Sequence, residues 1–92
     1  MVGPYTVLVD ARVEKDLKKV PENIIQKFIA IMDELEVDPF HRRPGVDIKR
    51  LKGHVDIFRV RLGKYRILYD LNQTEKIVKI TTVIHRKKAY KK

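Results

Sequence analysis

Two alternating runs around Gly63-Lys64 constrain this chain more than any other feature. Residues 57–62, Ile-Phe-Arg-Val-Arg-Leu, and residues 65–71, Tyr-Arg-Ile-Leu-Tyr-Asp-Leu, alternate with period two and are rich in aromatic and branched side chains. Divided by a two-residue step that contains glycine, such runs read as a β-hairpin. With Gly63-Lys64 as the loop, Leu62 pairs with Tyr65, Arg61 with Arg66 and Val60 with Ile67. Phe58, Val60, Leu62, Tyr65, Ile67 and Tyr69 then share one face, and Arg59, Arg61 and Arg66 share the other. Directly opposed like charges on a sheet cost up to about 1 kcal/mol. Arg61 opposite Arg66 has two readings: solvated arginines that splay apart, or a pair arranged to receive an anion. Phosphate suits the arginine fork.

The rest of the chain supplies partners for the hairpin. Residues 5–9, Tyr-Thr-Val-Leu-Val, predict a first strand. Asp10 is placed to cap a helix over residues 11–20, in which Val13, Leu17 and Val20 lie at helical spacing. Pro21 ends it and opens a second helix to about residue 37, with Ile24, Ile25, Phe28, Ile31, Met32 and Leu35 as its apolar stripe. Residues 38–47 hold two prolines and a glycine and read as a loop. A short strand is expected over residues 48–51, with a turn at Lys52-Gly53-His54. A turn at residues 72–74 leads to a last alternating strand to His85. A tight turn at Gln73-Thr74 sets Ile67 opposite Ile80 and Arg66 opposite Thr81, which places His85 on the arginine face. The fold class is α+β: an N-terminal strand and a helical hairpin packed on a small, mainly antiparallel sheet of three to four strands. Ninety-two residues make one domain, 1–92.

Charge narrows the function. The net charge is +9. Residues 1–40 hold 5 basic and 8 acidic side chains, whereas residues 41–92 hold 16 and 4. A field so segregated points to nucleic acid, an acidic partner or an anionic surface. With no cysteine, disulfides, thiolate catalysis and cysteine-zinc sites are excluded. No apolar run approaches the roughly 20 residues of a membrane span, and the first residues lack the regions of a signal peptide. A soluble, cytoplasmic protein without a membrane partner is expected. Glycine-rich phosphate loops, zinc-protease helices, Ca²⁺ loops and serine-nucleophile elbows are absent from the sequence. His41, His54 and His85 are scattered, and so are Asp47, Asp56, Asp70 and Glu75, so no metal site and no cofactor are expected.

RNA can be cleaved without a metal when the 2′-hydroxyl attacks its own phosphate. That needs a proton acceptor, a proton donor for the 5′-oxygen and cations for the phosphorane. Arg59, Arg61 and Arg66 supply charge. His85 titrates near neutrality in its unperturbed state. Lys52 and Arg86 stand where they can reach a phosphate, and Tyr90 offers a π-face for an unstacked base. The plainer readings are a strand-end surface histidine for His85, and packing or a frayed tail for Tyr90. Lys87, Lys88, Lys91 and Lys92 read as a solvated tail.

The segments Lys49-Arg50-Leu51-Lys52-Gly53, residues 58–69 (Phe-Arg-Val-Arg-Leu-Gly-Lys-Tyr-Arg-Ile-Leu-Tyr) and residues 84–90 (Ile-His-Arg-Lys-Lys-Ala-Tyr), in this order, resemble the RelE/ParE superfamily of toxins of toxin–antitoxin systems. The resemblance covers nearly the whole chain and is strongest over 48–90. It implies a RelE-type mRNA interferase: an endoribonuclease that enters the ribosomal A site, cuts mRNA there and arrests translation. A RelB-like antitoxin, helical and often acidic, is the partner it implies. By position, Arg59, Arg61, Arg66 and Arg86 match the family's catalytic and phosphate-binding basic residues, with His85 a candidate for proton transfer. Lys52 matches a basic position just before the glycine and Tyr90 the base-stacking aromatic, and Lys49 and Arg50 are further RNA-binding candidates. Some members carry lysine where Arg59 and Arg61 stand. Arginine effectively cannot release its proton, so either His85 moves one or the ribosome's positioning of the RNA carries more of the reaction. A ParE-like inhibitor of DNA gyrase and a non-catalytic nucleic-acid-binding domain are the alternatives.

Overall fold

The computed structural model describes residues 4–89. Among these, the chain runs β1 (Thr6–Val9), α1 (Ala11–Leu17), α2 (Glu22–Val37), β2 (Asp47–Arg50), β3 (Ile57–Leu62), β4 (Tyr65–Asn72), β5 (Ile77–His85) and α3 (Arg86–Ala89). The strands form one sheet in the order β1-β5-β4-β3-β2. The α+β expectation holds, but the sheet has five strands rather than three or four. β1 joins it as an edge, parallel to β5, with Thr6 beside Ile77 and Val9 beside Ile80. Its partner lies about seventy residues downstream, and no local pattern announces a pairing across that separation.

The central hairpin forms in the expected register, with Val60 opposite Ile67, Arg61 opposite Arg66 and Leu62 opposite Tyr65. Gly63 takes φ +62°, the left-handed region that a two-residue turn of the II′ pattern requires at its first central position. Asp10 caps α1, its side chain accepting from the Arg12 N–H. Phe28, Ile31 and Leu35 of α2 and Val13 of α1 are buried with Phe58, Val60, Leu62, Ile67, Tyr69, Val78 and Ile80. α1 packs on β5, and α2 on β1 and β3. Each fully buried large apolar side chain contributes about 1.5–3 kcal/mol, so this face alone drives folding and the opposite face can carry charge. The phenol of Tyr69 is completely buried, donates to the Pro39 carbonyl at 2.7 Å and has its acidity suppressed by burial.

The pairing of β4 with β5 differs from the expected register in two steps. The connection is a four-residue turn closing in Lys76 at φ +57°, with the Asn72 side chain accepting from the Glu75 N–H. Asn72 therefore lies opposite Ile77. This moves the partners by two residues and keeps every side chain on its face. A bulge follows: Tyr69 lies opposite Ile80 but Leu68 opposite Thr82, leaving Thr81 as an extra residue. One inserted residue turns all later side chains over. Arg66 thus pairs with Ile84 rather than Thr81, Ile67 with Val83 rather than Ile80, and His85 with Tyr65. His85 stands on the helix-covered face and not on the arginine face.

Candidate nucleic-acid interface

β2, β3 and β4 bring the basic side chains together. Register puts Asp47 beside Arg61 and Lys49 beside Arg59, and strand alternation keeps these four on the face opposite the core. Arg66 joins them from β4. Arg59 is only 7% exposed, the sole buried charged residue among the described ones. Its guanidinium reaches the Asp47 carbonyl at 3.4 Å and the Asp47 carboxylate at 3.5 Å. Burial first, and then the charge of Arg61, lower its hold on the proton below the ordinary arginine value; Asp47 opposes this and Arg66 adds to it. Such crowding does not make Arg59 a base, since arginine stays protonated throughout the working range. It shows how closely the cations are gathered before any ligand arrives.

At the turn end of the hairpin, Arg61, Arg66 and Arg86 line a cleft of about 140 Å³ whose floor is Gly63, Lys64 and Tyr65. Arg86 is fixed there by its backbone: its N–H donates to the Lys64 carbonyl at 2.7 Å. Three arginines lining one small cleft give it the donor chemistry that suits a tetrahedral anion.

Other expected residues lie elsewhere. His85 sets its ring edge-on to Tyr65 at 5.0 Å between centroids, and its Nδ1 accepts from the Lys87 N–H at 3.2 Å. It therefore acts as a cap at the start of α3, just ahead of Arg86. Arg50 is turned from the arginine face: it lies opposite Phe58, with its guanidinium carbon 5.2 Å from the centre of that ring. Lys49 alternates onto the arginine face. Lys52 is exposed in the β2–β3 connection, where β3 begins, at the end of the sheet away from the Gly63 turn. A strand of six residues separates it from the three-arginine cleft. Tyr90 lies outside the described residues.

Three residues of the region escaped the sequence reading. Asp47 is the carboxylate that orders Arg59, and its alternation with Lys49 was the available signal. Arg42 places its Nε 3.5 Å from the same carboxylate. Arg43 instead closes the end of α2, donating to the carbonyls of Glu34, Asp38 and His41 and pairing with the Glu34 carboxylate at 3.0 Å. A cation just past a helix C-terminus was the signal there.

Known proteins share this fold. The family described as the ParE toxin of type II toxin–antitoxin system, parDE, matches residues 7–90. The chain is 37% identical over 87 residues to a Methanocaldococcus jannaschii protein named "Putative toxin RelE1", covering 95% of this chain and 96% of that one. It is 36% identical over 76 residues to Toxin RelE3 of the same organism, covering 83% and 84%. The crystal structure of the archaeal RelE–RelB complex from Pyrococcus horikoshii OT3 contains a chain that superposes with a TM-score of 0.80 at 33% identity, covering 90% of this chain and 96% of that one. Matched by this family over residues 7–90, at 37% identity by a relative covered nearly end to end and in fold by a solved toxin, the chain belongs to the RelE/ParE family of type II toxin–antitoxin toxins.

Proposed function

We propose that the chain is a ribosome-dependent mRNA endoribonuclease that arrests translation in the cytoplasm. The observation that carries the reading is the face-to-face pair Arg61 and Arg66, completed into a cleft by Arg86. The scissile phosphate sits between these guanidiniums. The 2′-oxygen attacks phosphorus, the bond to the 5′-oxygen breaks, the proton lost from the 2′-hydroxyl passes through solvent to the 5′-oxygen, and a 2′,3′-cyclic phosphate and a 5′-hydroxyl result. Arg59, Arg61, Arg66 and Arg86 stabilise the extra negative charge of the phosphorane, which this reading supplies without a metal. The placement of His85 beside Tyr65 favours charge stabilisation and ribosomal positioning over proton transfer by the imidazole. Lys49 and Tyr90 extend the contact to the flanking RNA. The partner proposed for neutralisation is a RelB-like antitoxin, since the solved relatives are RelE–RelB complexes.

Induced expression tests the reading. Protein synthesis stops, and new 5′ ends of mRNA map to codons in the A site. Arg66→Ala abolishes the arrest while the purified variant keeps its melting temperature. Full toxicity of that variant would remove the phosphate site. The family match to ParE favours a second reading, inhibition of DNA gyrase. In that case supercoiling fails before translation does.

A further inference from the structure

We propose that the RNA strand crosses the sheet from strand to strand, and that Arg42 holds a second phosphate on the far side of Arg61. This rests on the ribonuclease reading above and extends it by one subsite. The register aligns Asp47, Arg61, Arg66 and Ile84 in a single row over β2, β3, β4 and β5. Three strand spacings make that row about 14 Å long, too long for one phosphate. Arg86 stands at one end and Arg42 at the other.

The surface follows the row. The cleft of Arg61, Arg66 and Arg86 adjoins a second one of about 640 Å³, lined by Arg42, Pro44, Gly45 and Asp47. The two share Arg61 and Gly63. Gly45, in the second cleft, leaves open space where a Cβ would stand. A sugar–phosphate backbone can therefore lie close to the chain along the whole path.

The two arginines of the second cleft are unlike. Arg43 is 25% exposed and spends its donors on the end of α2. Arg42 is 76% exposed, and its guanidinium approaches the Asp47 carboxylate at 3.5 Å. The Asp47 carboxylate, shared with Arg59, holds Arg42 toward the row. An exposed pair of that length is weak, so an arriving phosphate replaces the carboxylate at little cost. Arg42 then contributes general backbone affinity, not base selection.

Binding of 2′-O-methyl oligonucleotides to the full chain, followed by fluorescence anisotropy over a range of salt, tests this. A dinucleotide with one phosphate fills the first cleft; a hexanucleotide fills both. Arg42→Ala weakens the hexanucleotide about three- to tenfold and lowers the slope of its salt dependence by about 0.7. It leaves the dinucleotide unchanged, and Arg42→Lys restores the slope. Arg66→Ala weakens both probes. If Arg42→Ala leaves the hexanucleotide's affinity and slope unchanged while Arg66→Ala weakens both, the second subsite is wrong and the first stands. If neither variant matters, the ribonuclease reading itself fails. Polyglutamate is the third probe: equal loss of polyglutamate and hexanucleotide binding on Arg42→Ala overturns the subsite in favour of a surface for acidic polypeptide.

Discussion

Arg43 and Arg61 line the same cleft, yet their removal has opposite consequences. Arg43→Ala strips hydrogen bonds from the last carbonyls of α2 and from Glu34, and costs about 1–3 kcal/mol in urea denaturation. Arg61→Thr removes one of two directly opposed like charges, and leaves stability unchanged or higher by a few tenths of a kcal/mol. Equal losses from both would show that Arg61 is placed for the fold rather than for a ligand. Asp38 gives the residue-scale pH response. Burial raises its carboxyl pKa, but hydrogen bonds from the Phe40 N–H and from the backbone and ring of His41 outweigh it, and the net value lies below the ordinary carboxylate. A depressed folded-state pKa adds stability that is complete above the unfolded value, about 3.9, and disappears as pH falls through the folded value. Asp38→Asn therefore flattens the loss of stability below pH ~4 while lowering stability at neutral pH.

At the scale of elements, the bulge in β5 decides which residues meet. Deleting Thr81 removes the bulge but leaves Thr82 opposite Leu68, Val83 opposite Ile67 and His85 opposite Tyr65, so every later side chain keeps its face. The deletion costs about 0.5–1.5 kcal/mol, the hydrogen bond from the Thr81 hydroxyl to the Leu68 carbonyl, read as a small drop in the denaturation midpoint; a loss of several kcal/mol would mean that the bulge itself shapes the sheet. The cap reading of His85 has its own test. His85→Asn preserves the start of α3 and keeps the proposed ribonuclease activity near the parent's level, whereas His85→Ala loses part of it. Complete loss in the Asn variant with an unchanged melting temperature would make His85 the group that moves the proton. These particulars also mark what the sequence could reveal. The β3–β4 register was legible because alternation and a glycine turn agree at every residue from Phe58 to Tyr69. Asp10 and Pro21 announced both helices by the same local chemistry. The β4–β5 register was not legible: a longer turn and one bulged threonine are cheap locally, and the bulge shows its effect only downstream, at His85. The contrast between Arg42 and Arg43 was hidden as well. Two adjacent arginines look alike until one finds the open carbonyls of a helix end.

For the whole molecule, the charge division along the chain becomes a division in space. The first forty residues, with 8 acidic and 5 basic side chains, build β1 and the helical layer; the remainder, with 16 basic and 4 acidic, builds β2–β5 and α3. The molecule measures 36 × 29 × 28 Å. A helix with its side chains is about 10–12 Å across, so the exposed charges of α2 stand beyond one Debye length, about 10 Å, from the arginine face at 0.1 M salt. At 0.01 M the Debye length is about 30 Å, and the two layers sense each other. Reversing Asp33 and Glu36 together, as Asp33→Lys with Glu36→Lys, alters charge on exposed positions of α2 and touches none of the site residues. The hexanucleotide's affinity should then stay within about twofold of the parent at 0.1 M and rise several-fold at 0.01 M. A comparable rise at both salt concentrations would mean that RNA reaches the helical layer directly. No rise at 0.01 M would mean that attraction is confined to contacts on the arginine face, and that the acidic layer exerts no long-range restraint on RNA capture.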